Sequence, residues 1–139
     1  MPAKDIHHDT VKAALLRDGW TITDDPLTLK LGLRSVHIDL GAEKLIAAEK
    51  GADKIAVEIK SFSSPSPLND LENAWGQFFK YARTLQRREP DRILYLAVSS
   101  TTFDTIFLEE AGQLLLEEPD FRIIVFDPKT EEIIRWIPQ

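Results

Sequence analysis

The segment Lys54–Lys60 carries two charged side chains at a spacing that could support chemistry. Side chains alternate along a β-strand, so a strand here would place Glu58 and Lys60 on one face and Val57 and Ile59 on the other. The apolar approach to this segment indicates a largely buried strand, in which unpaired charge is costly. Either the two side chains pair with each other, which is the more common explanation of such a pattern, or they belong to a functional site.

A second carboxylate, Asp39, lies 19 positions before Glu58 and falls at the end of another predicted strand. If the two strands are neighbours in one sheet, Asp39 and Glu58 lie side by side. With the main-chain carbonyl of Ile59 they form an oxygen site that suits Mg²⁺, and Mn²⁺ is a second possible ion. Such an ion would lower the pKa of a bound water and neutralise a pentacovalent phosphate. Lys60 would position that water or stabilise the same charge.

Two helical residues complete this set of candidates. Gln77 follows Gly76, which would allow the helix to approach the sheet closely, and its amide could orient the scissile phosphate or order a water. Asp9, on the first predicted helix, could reach the metal ion through a water. Each residue taken alone has an ordinary structural explanation, as a surface glutamine or as an acid near a helix N-terminus. Their order along the chain makes a shared site a stronger explanation.

Basic residues recur at helical spacing after Gln77. Lys80, Arg83 and Arg87 would share one helix face, which on a DNA-binding protein contacts phosphates and positions the duplex without reading bases. A solvated helix face explains such a run about as well. The chain has 17 basic and 23 acidic residues, a net charge of −6 that argues against tight non-specific DNA binding.

Length and composition indicate one globular domain covering residues 1–139. The absence of cysteine excludes disulfides and thiolate metal sites. The sequence contains no apolar run long enough to cross a membrane and no signal-peptide pattern at its start, so we expect a cytoplasmic protein without a membrane partner.

Hydrophobic periodicity predicts an α/β (α+β) fold, a mixed central sheet flanked by helices on both sides. Val36, Ile38 and Leu40 are expected on one face of a strand that forms a hairpin with the strand around Glu58. The predicted helices cover residues 4–18, 68–88 and 105–118, and the predicted strands cover 20–23, 27–31, 35–40, 54–60, 93–98, 121–126 and 132–137.

The order Asp39, Glu58-Ile59-Lys60, Gln77 resembles the PD-(D/E)XK nuclease superfamily in its Holliday-junction-resolvase-like branch. Residues 4–98 match the restriction-endonuclease-like αβββαβ core of that superfamily in order. The resemblance implies that Asp39, Glu58 and Lys60 form the catalytic site, with Gln77 assisting, and that Asp39, Glu58, Ile59 and Asp9 surround the metal ion.

Longer runs over the whole chain resemble the XisH family, a small cyanobacterial family named as an excision controlling factor for a DNA element that interrupts a nitrogen-fixation gene. This second resemblance implies a XisI-like protein as partner and a role beside a site-specific recombinase. It rests on residues 1–6, 18–23, 38–51, 54–62 and 95–98.

Two functions follow as expectations. The first is a Mg²⁺-dependent DNA endonuclease, for which a homodimer would supply the two active sites that cutting both strands requires. The second is a catalytically silent adaptor of the same fold that binds DNA or a XisI-like partner. The intact pair Asp39 and Glu58 favours the nuclease, whereas the net charge of −6 favours the adaptor.

Overall fold

The computed structural model describes residues 5–47 and 51–138. A helix, five strands, a long helix and a strand come first, followed by two short helices and two strands. Their bounds are α1 (His8–Arg17), β1 (Thr21–Asp24), β2 (Leu27–Leu31), β3 (Arg34–Ile38), β4 (Leu40–Ala47), β5 (Gly51–Ile59), α2 (Pro67–Arg88), β6 (Arg92–Ser99), α3 (Ser100–Phe103), α4 (Glu110–Leu116), β7 (Ile123–Asp127) and β8 (Glu132–Ile137).

Six strands form one mixed sheet in the order β1-β4-β5-β6-β7-β8. β5, β6 and β7 are parallel to one another, and the outer pairs β1–β4, β4–β5 and β7–β8 are antiparallel. β2 and β3 pair only with each other and form the β2–β3 hairpin, inserted between β1 and β4. Without this insertion the chain runs αβββαβ through β6, so the expected core is confirmed.

The sheet has an apolar layer on each face. Along β5, Ile55, Val57 and Ile59 belong to the cluster under α1, and Ala56 belongs to the cluster under α2. Because side chains alternate along a strand, Glu58 lies on the face of the sheet that α2 covers. The expectation of helices on both faces is therefore confirmed, and the site lies on the α2 face.

Helix α2 is the longest element and matches its prediction over 68–88 closely. It begins after Ser66, whose hydroxyl accepts a hydrogen bond from the Asn69 N–H, with Pro67 in the first turn. It ends at Arg88, before Glu89-Pro90. Its buried stripe, which includes Leu71, Ala74, Phe78 and Leu85, packs on the sheet and on β2.

The predicted strand 35–40 was wrong in one respect. It ends at Ile38 as β3, and a new strand, β4, begins at Leu40. Val36 and Ile38 pack in the cluster under α2, whereas Leu40 packs in the cluster under α1, so the three do not share a face. The reason is a change of partner: β3 pairs with β2, whereas β4 pairs with β1 and β5, and the chain crosses between them at Asp39.

Two predicted helices also differ from the observed ones. The helix expected over 105–118 was wrong: α3 and α4 flank a turn in which Phe107 is buried. Gly112 packs so closely on the backbone of Ile106 and Phe107 that a Cβ there would overlap them. The helix expected over 4–18 begins at His8, and position 4 lies outside the described residues. Within the described residues, no helix is both long and apolar enough to cross a membrane.

Candidate active site

Asp39 and Glu58 are held against each other by the ends of their strands. The Asp39 N–H donates a hydrogen bond to Glu58 Oε1 at 3.2 Å. The Ile59 N–H donates to Asp39 Oδ2 at 2.8 Å. The structure therefore brings together both carboxylates that the sequence predicted as a pair.

The interruption between β3 and β4 explains this arrangement. β4 and β5 remain paired up to Leu40 opposite Val57, and beyond this point β3 has turned away to pair with β2. The Ile59 N–H therefore lacks a main-chain partner on that edge, and the Asp39 carboxylate takes that place. In a strand, the N–H and C=O of one residue point to the same edge, so the Ile59 carbonyl also faces Asp39.

The surroundings of Glu58 favour its protonated form. Burial, and then the neighbouring Asp39 carboxylate, raise the pKa of Glu58 to about 9. The N–H bond from Asp39 and the charge of Lys60 oppose this rise in the Glu58 pKa, with Lys60 contributing least. At neutral pH the Glu58 carboxyl is therefore protonated.

Lys60 lies where β5 leaves the sheet. Its N–H donates to the Ala97 carbonyl at 3.1 Å, which continues the parallel pairing with β6 by one residue. Between Lys60 and Glu58, both within the described part of the chain, there is no salt bridge. The ion pair that offered an ordinary explanation of the Glu58–Lys60 spacing is not formed, and the partly buried Lys60 ammonium remains available to the site.

Tyr81 is the site residue that sequence reasoning missed. It is buried on α2, and burial followed by the charges of Glu58 and Asp39 raise the pKa of its phenol to about 12. The hydroxyl therefore stays protonated and can donate a hydrogen bond toward the carboxylates. The signal was present in the sequence: Tyr81 follows Gln77 by one helical turn and interrupts an apolar stripe with a polar group.

Gln77 lies on α2 one turn before Tyr81, with an exposed side chain. The close approach to the sheet expected at Gly76 was wrong, because Gly76 is exposed and a Cβ there would meet nothing within 4 Å. The neighbouring Trp75 packs at the edge of the α2 cluster. The structure therefore places Gln77 on the exposed surface of α2, one helical turn before Tyr81.

Two acids, Asp9 in α1 and Asp5 just before it, have different surroundings. Asp9 is exposed in the first turn of α1, where its charge acts on Lys12. Asp5 contacts the segment that follows β5: its Oδ2 accepts from the Ser61 N–H at 3.0 Å, and its Oδ1 accepts from the His7 N–H at 2.9 Å. Asp5 therefore fixes the start of α1 to the chain directly after Lys60.

The predicted phosphate track is exposed along α2. Lys80, Arg83 and Arg87 are all solvent-accessible, and Lys80 Nζ lies 5.2 Å from the ring centroid of Tyr81. At the C-terminus of α2, Arg88 Nε donates to the Lys30 carbonyl of the β2–β3 hairpin at 3.1 Å. The end of α2 is therefore joined to the hairpin.

The donor set fits a hard divalent cation that keeps most of its waters. Across residues 5–47 and 51–138, no cluster of three or more His, Asp or Glu side chains is arranged to hold a metal ion. Asp39 and Glu58 supply two carboxylates and Ile59 a carbonyl on the same edge, which matches the small number of protein ligands that Mg²⁺ uses. Burial and the Asp39 charge raise the pKa of Glu58, and a divalent cation held here would lower it.

A cleft of about 820 Å³ lies on the opposite face of the sheet. Its centre is aromatic: the Trp20 and Trp136 rings lie 5.7 Å apart, and the Tyr95 and Trp136 rings lie 5.0 Å apart. Asp18, Lys44 and other charged residues form its rim. Because Trp20 and its neighbours belong to the α1 cluster, this cleft is separate from Glu58 and Tyr81.

Fold and site together define a class: a mixed α/β domain with a carboxylate pair and a lysine at the end of a central strand, beside a basic helix. The XisH protein family matches residues 1–134. The chain belongs to the XisH family. No curated protein matches it.

Two solved structures agree in fold. One is a crystal structure of an XisH family protein from Nostoc punctiforme, with a TM-score of 0.86 and 40% sequence identity over 96% of this chain and 99% of that chain. The other is an fdxN element excision controlling factor protein from Anabaena variabilis, with a TM-score of 0.85 and 41% identity over the same shares of the two chains.

Proposed function

We propose that this protein is a DNA element excision controlling factor with a metal-dependent, phosphodiester-cleaving site of the PD-(D/E)XK endonuclease type. The observation that carries the proposal is the contact between Asp39 and Glu58 at the end of β5. A buried carboxyl with a strongly raised pKa next to a second carboxylate costs folding free energy, and such groups concentrate at functional sites.

Asp39, Glu58 and the Ile59 carbonyl would hold a Mg²⁺ or Mn²⁺ ion, whose charge would displace the proton on Glu58 and offset the repulsion within the pair. Such an ion supplies Lewis-acid chemistry, by activating water and neutralising charge on a phosphate. Lys60 stabilises the negative charge that develops on the phosphate, and Tyr81 donates a hydrogen bond from the α2 side. Gln77, one turn earlier, orients the substrate.

The excision role is inferred from the related Anabaena variabilis protein, whose description is an fdxN element excision controlling factor. In that role a site-specific recombinase would carry out the strand exchange, and this protein would assist it together with a XisI-like protein. Lys80, Arg83 and Arg87 would hold the DNA backbone while the carboxylate pair acts on one phosphodiester.

The test is calorimetry of Mg²⁺ binding combined with a cleavage assay on branched DNA, using wild type, Asp39→Asn and Glu58→Gln. We expect saturable binding by wild type that releases about one proton near neutral pH, because the ion displaces the proton on Glu58. Both variants should lose metal binding and Mg²⁺- or Mn²⁺-dependent nicking. Glu132→Gln, which changes an exposed carboxylate on β8, is the matched control.

The nuclease proposal is refuted if wild type neither binds the ion nor cuts DNA, with or without a XisI-like protein. Nicking that survives in both Asp39→Asn and Glu58→Gln would do the same, because it would come from elsewhere. Lys60→Met separates the roles further: it should keep metal binding and lose cutting, since the ammonium acts on the phosphate and not on the ion.

A silent adaptor is the second candidate, and the aromatic cleft favours it. Half-exposed Trp136 and Tyr95, in a cleft with a charged rim, have the composition of a protein-binding site. Under this proposal a purified XisI-like protein binds the cleft, and Trp136→Ala weakens that complex by about tenfold or more. Leu114→Ala, on exposed α4, serves as control, and equal affinities for the two variants would refute the cleft as the binding site.

A further inference from the structure

The β2–β3 hairpin ends in an apolar tip that no other part of residues 5–47 and 51–138 covers. We call residues 30–34 the hairpin tip. Leu33 is fully exposed, at 108% of its reference area, and Leu31 is exposed at 38%. Gly32, with a φ of +62° and no atom near its Cβ position, forms the turn that presents the two leucines. Leu33 is the most exposed large apolar side chain in the described part of the protein.

The hairpin is held rigidly despite its exposed tip. Leu27, Leu29 and Val36 from its inner face are buried in the cluster under α2. Arg88 at the end of α2 donates from Nε to the Lys30 carbonyl at 3.1 Å. The tip is therefore fixed in position relative to α2.

The base of the hairpin adjoins the carboxylate pair. β3 ends at Ile38, the residue before Asp39, and pairs with β2 from Ile38–Leu27 at the base to Arg34–Leu31 at the tip. Strand residues advance by about 3.3 Å each, so Leu33 lies roughly 20 Å along the strand from Asp39. This span corresponds to about six nucleotides of stacked DNA at 3.4 Å each.

The hairpin and the C-terminal half of α2 are rich in positive charge. The hairpin segment 26–38 and the α2 segment 77–88 contain six Lys and Arg residues and no Asp or Glu, in a chain whose net charge is −6. They are Lys30, Arg34, Lys80, Arg83, Arg87 and Arg88. Because Lys30 and Arg34 flank the apolar tip and neither segment contains an acid, the local charge of the tip suits a polyanion with apolar bases.

We propose that the hairpin tip is a DNA wedge. Lys30 and Arg34 hold the phosphates on either side of a base step, while Leu33 and Leu31 enter between the bases and unstack them, as apolar wedges do in DNA-bending proteins. The preferred substrate is then DNA with a weakened step, a branch or a junction, located about six nucleotides from the phosphate at Asp39. The position of the cut rests on the proposed nuclease function, but the wedge itself does not.

The test uses branched DNA with 2-aminopurine at the branch, in EDTA so that nothing is cut. Wild type should increase the fluorescence on binding, because 2-aminopurine brightens when unstacked. In Leu33→Ser the fluorescence increase should be smaller by a factor of about five or more. Leu33→Met should keep the full increase, since Met is also an apolar wedge. The double variant Lys30→Ala/Arg34→Ala should instead weaken binding to branched and intact duplex alike and lower the salt slope by about 2.

Leu16→Ser on α1, an exposed leucine on the opposite face, and Lys129→Ala on the β7–β8 turn are the matched controls. The wedge is refuted when Leu33→Ser behaves as Leu16→Ser does. It is also refuted when wild type leaves the fluorescence unchanged, or when Leu33→Ser loses only binding of a XisI-like protein. Glu58→Gln distinguishes the two proposals. If wild type never cuts DNA, while wild type and Glu58→Gln both unstack the branch fully, the wedge is kept and the nuclease is rejected.

Discussion

At the scale of single residues, the protonation of Glu58 links the candidate chemistry to stability. Burial and Asp39 raise its pKa from the ordinary value of 4.5 to about 9 in the folded chain. The unfolded chain ionises this carboxyl near 4.5 and the folded chain does not. Folding stability from this group is therefore complete below pH 4.5 and is lost progressively as the pH rises toward 9.

Glu58→Gln should consequently stabilise the metal-free fold at alkaline pH. The glutamine amide keeps the shape and the hydrogen bonding of a protonated carboxyl without the cost of ionisation. We expect a gain in unfolding free energy of about 1–3 kcal/mol near pH 8 and almost none near pH 4.5. Thermal unfolding in EDTA at both pH values measures it. Equal shifts at the two pH values would contradict the assigned protonation state.

Tyr81 offers a spectroscopic test of the same pair. Its pKa is raised to about 12, and after burial the charges of Glu58 and Asp39 are the causes. Asp39→Asn removes one of these charges, so the tyrosinate absorbance of Tyr81 should appear at lower pH in that variant. The chain has two tyrosines, and subtracting the titration of Tyr81→Phe isolates the signal. A titration of Tyr81 that Asp39→Asn leaves unmoved would place the phenol away from the carboxylates.

Tyr81→Phe also separates positioning from packing. The ring remains and only the hydroxyl is lost, so we expect stability and Mg²⁺ affinity close to wild type. Cleavage should fall by about tenfold to a hundredfold, as for the loss of one hydrogen-bond donor to a developing charge. Single-turnover cleavage at saturating metal measures this loss, and an undiminished rate would limit Tyr81 to a structural role.

At the scale of elements, α1 is fixed to the turn that leads into the β2–β3 hairpin. His8 is buried in α1, and its Nε2 lies 2.7 Å from Asp25 Oδ1. Lys12 Nζ donates to the other oxygen, Oδ2, at 2.8 Å. The hydrogen bond from Lys12, with smaller contributions from His8, holds the pKa of Asp25 below its usual value of 3.8. The Asp25 carboxylate therefore joins α1 to the turn between β1 and β2.

Asp25→Ala should destabilise the fold by about 1–3 kcal/mol at neutral pH, because it leaves the buried His8 ring without its partner. A lowered carboxyl pKa means that this stability is present above 3.8 and is lost as the pH falls through the lower, folded-state value. The difference between wild type and Asp25→Ala should therefore shrink in acid. Denaturant unfolding measures it, with exposed Asp104→Ala as the control.

Local patterns predicted the regular elements best. α2 and β5 were predicted well because their periodicities extend over many residues and agree with their caps and flanking prolines. The segment 105–118 was mistaken for one helix because its apolar spacing is helical, while the tight contact at Gly112 that divides it depends on the turn folding back. The division of 35–40 at Asp39 likewise depends on which strands pair.

At the scale of the whole molecule, charge segregation explains how an acidic chain could hold DNA. The hairpin and the C-terminal half of α2 contain six cations and no acid, while the chain as a whole carries −6. If all six contact phosphates, affinity for duplex DNA should fall by about a thousandfold between 50 and 200 mM salt. Arg83→Ala/Arg87→Ala should lower the salt slope by about 2, and Lys129→Ala should leave it unchanged. Fluorescence anisotropy across a salt series measures both slopes.

By itself, the sequence determined the alternation that sets Glu58 and Lys60 apart from Val57 and Ile59, the amphipathic helix with Lys80, Arg83 and Arg87, and membership of a family. These are local or cumulative signals that survive without knowledge of contacts. Tertiary structure alone decided that Asp39 accepts the Ile59 N–H, that the charges of Glu58 and Asp39 act on buried Tyr81, and that the β2–β3 hairpin ends next to Asp39. The reason is physical: strand pairing joins residues far apart in sequence, and a hydrogen bond left open by one strand is taken by whichever side chain that pairing brings near.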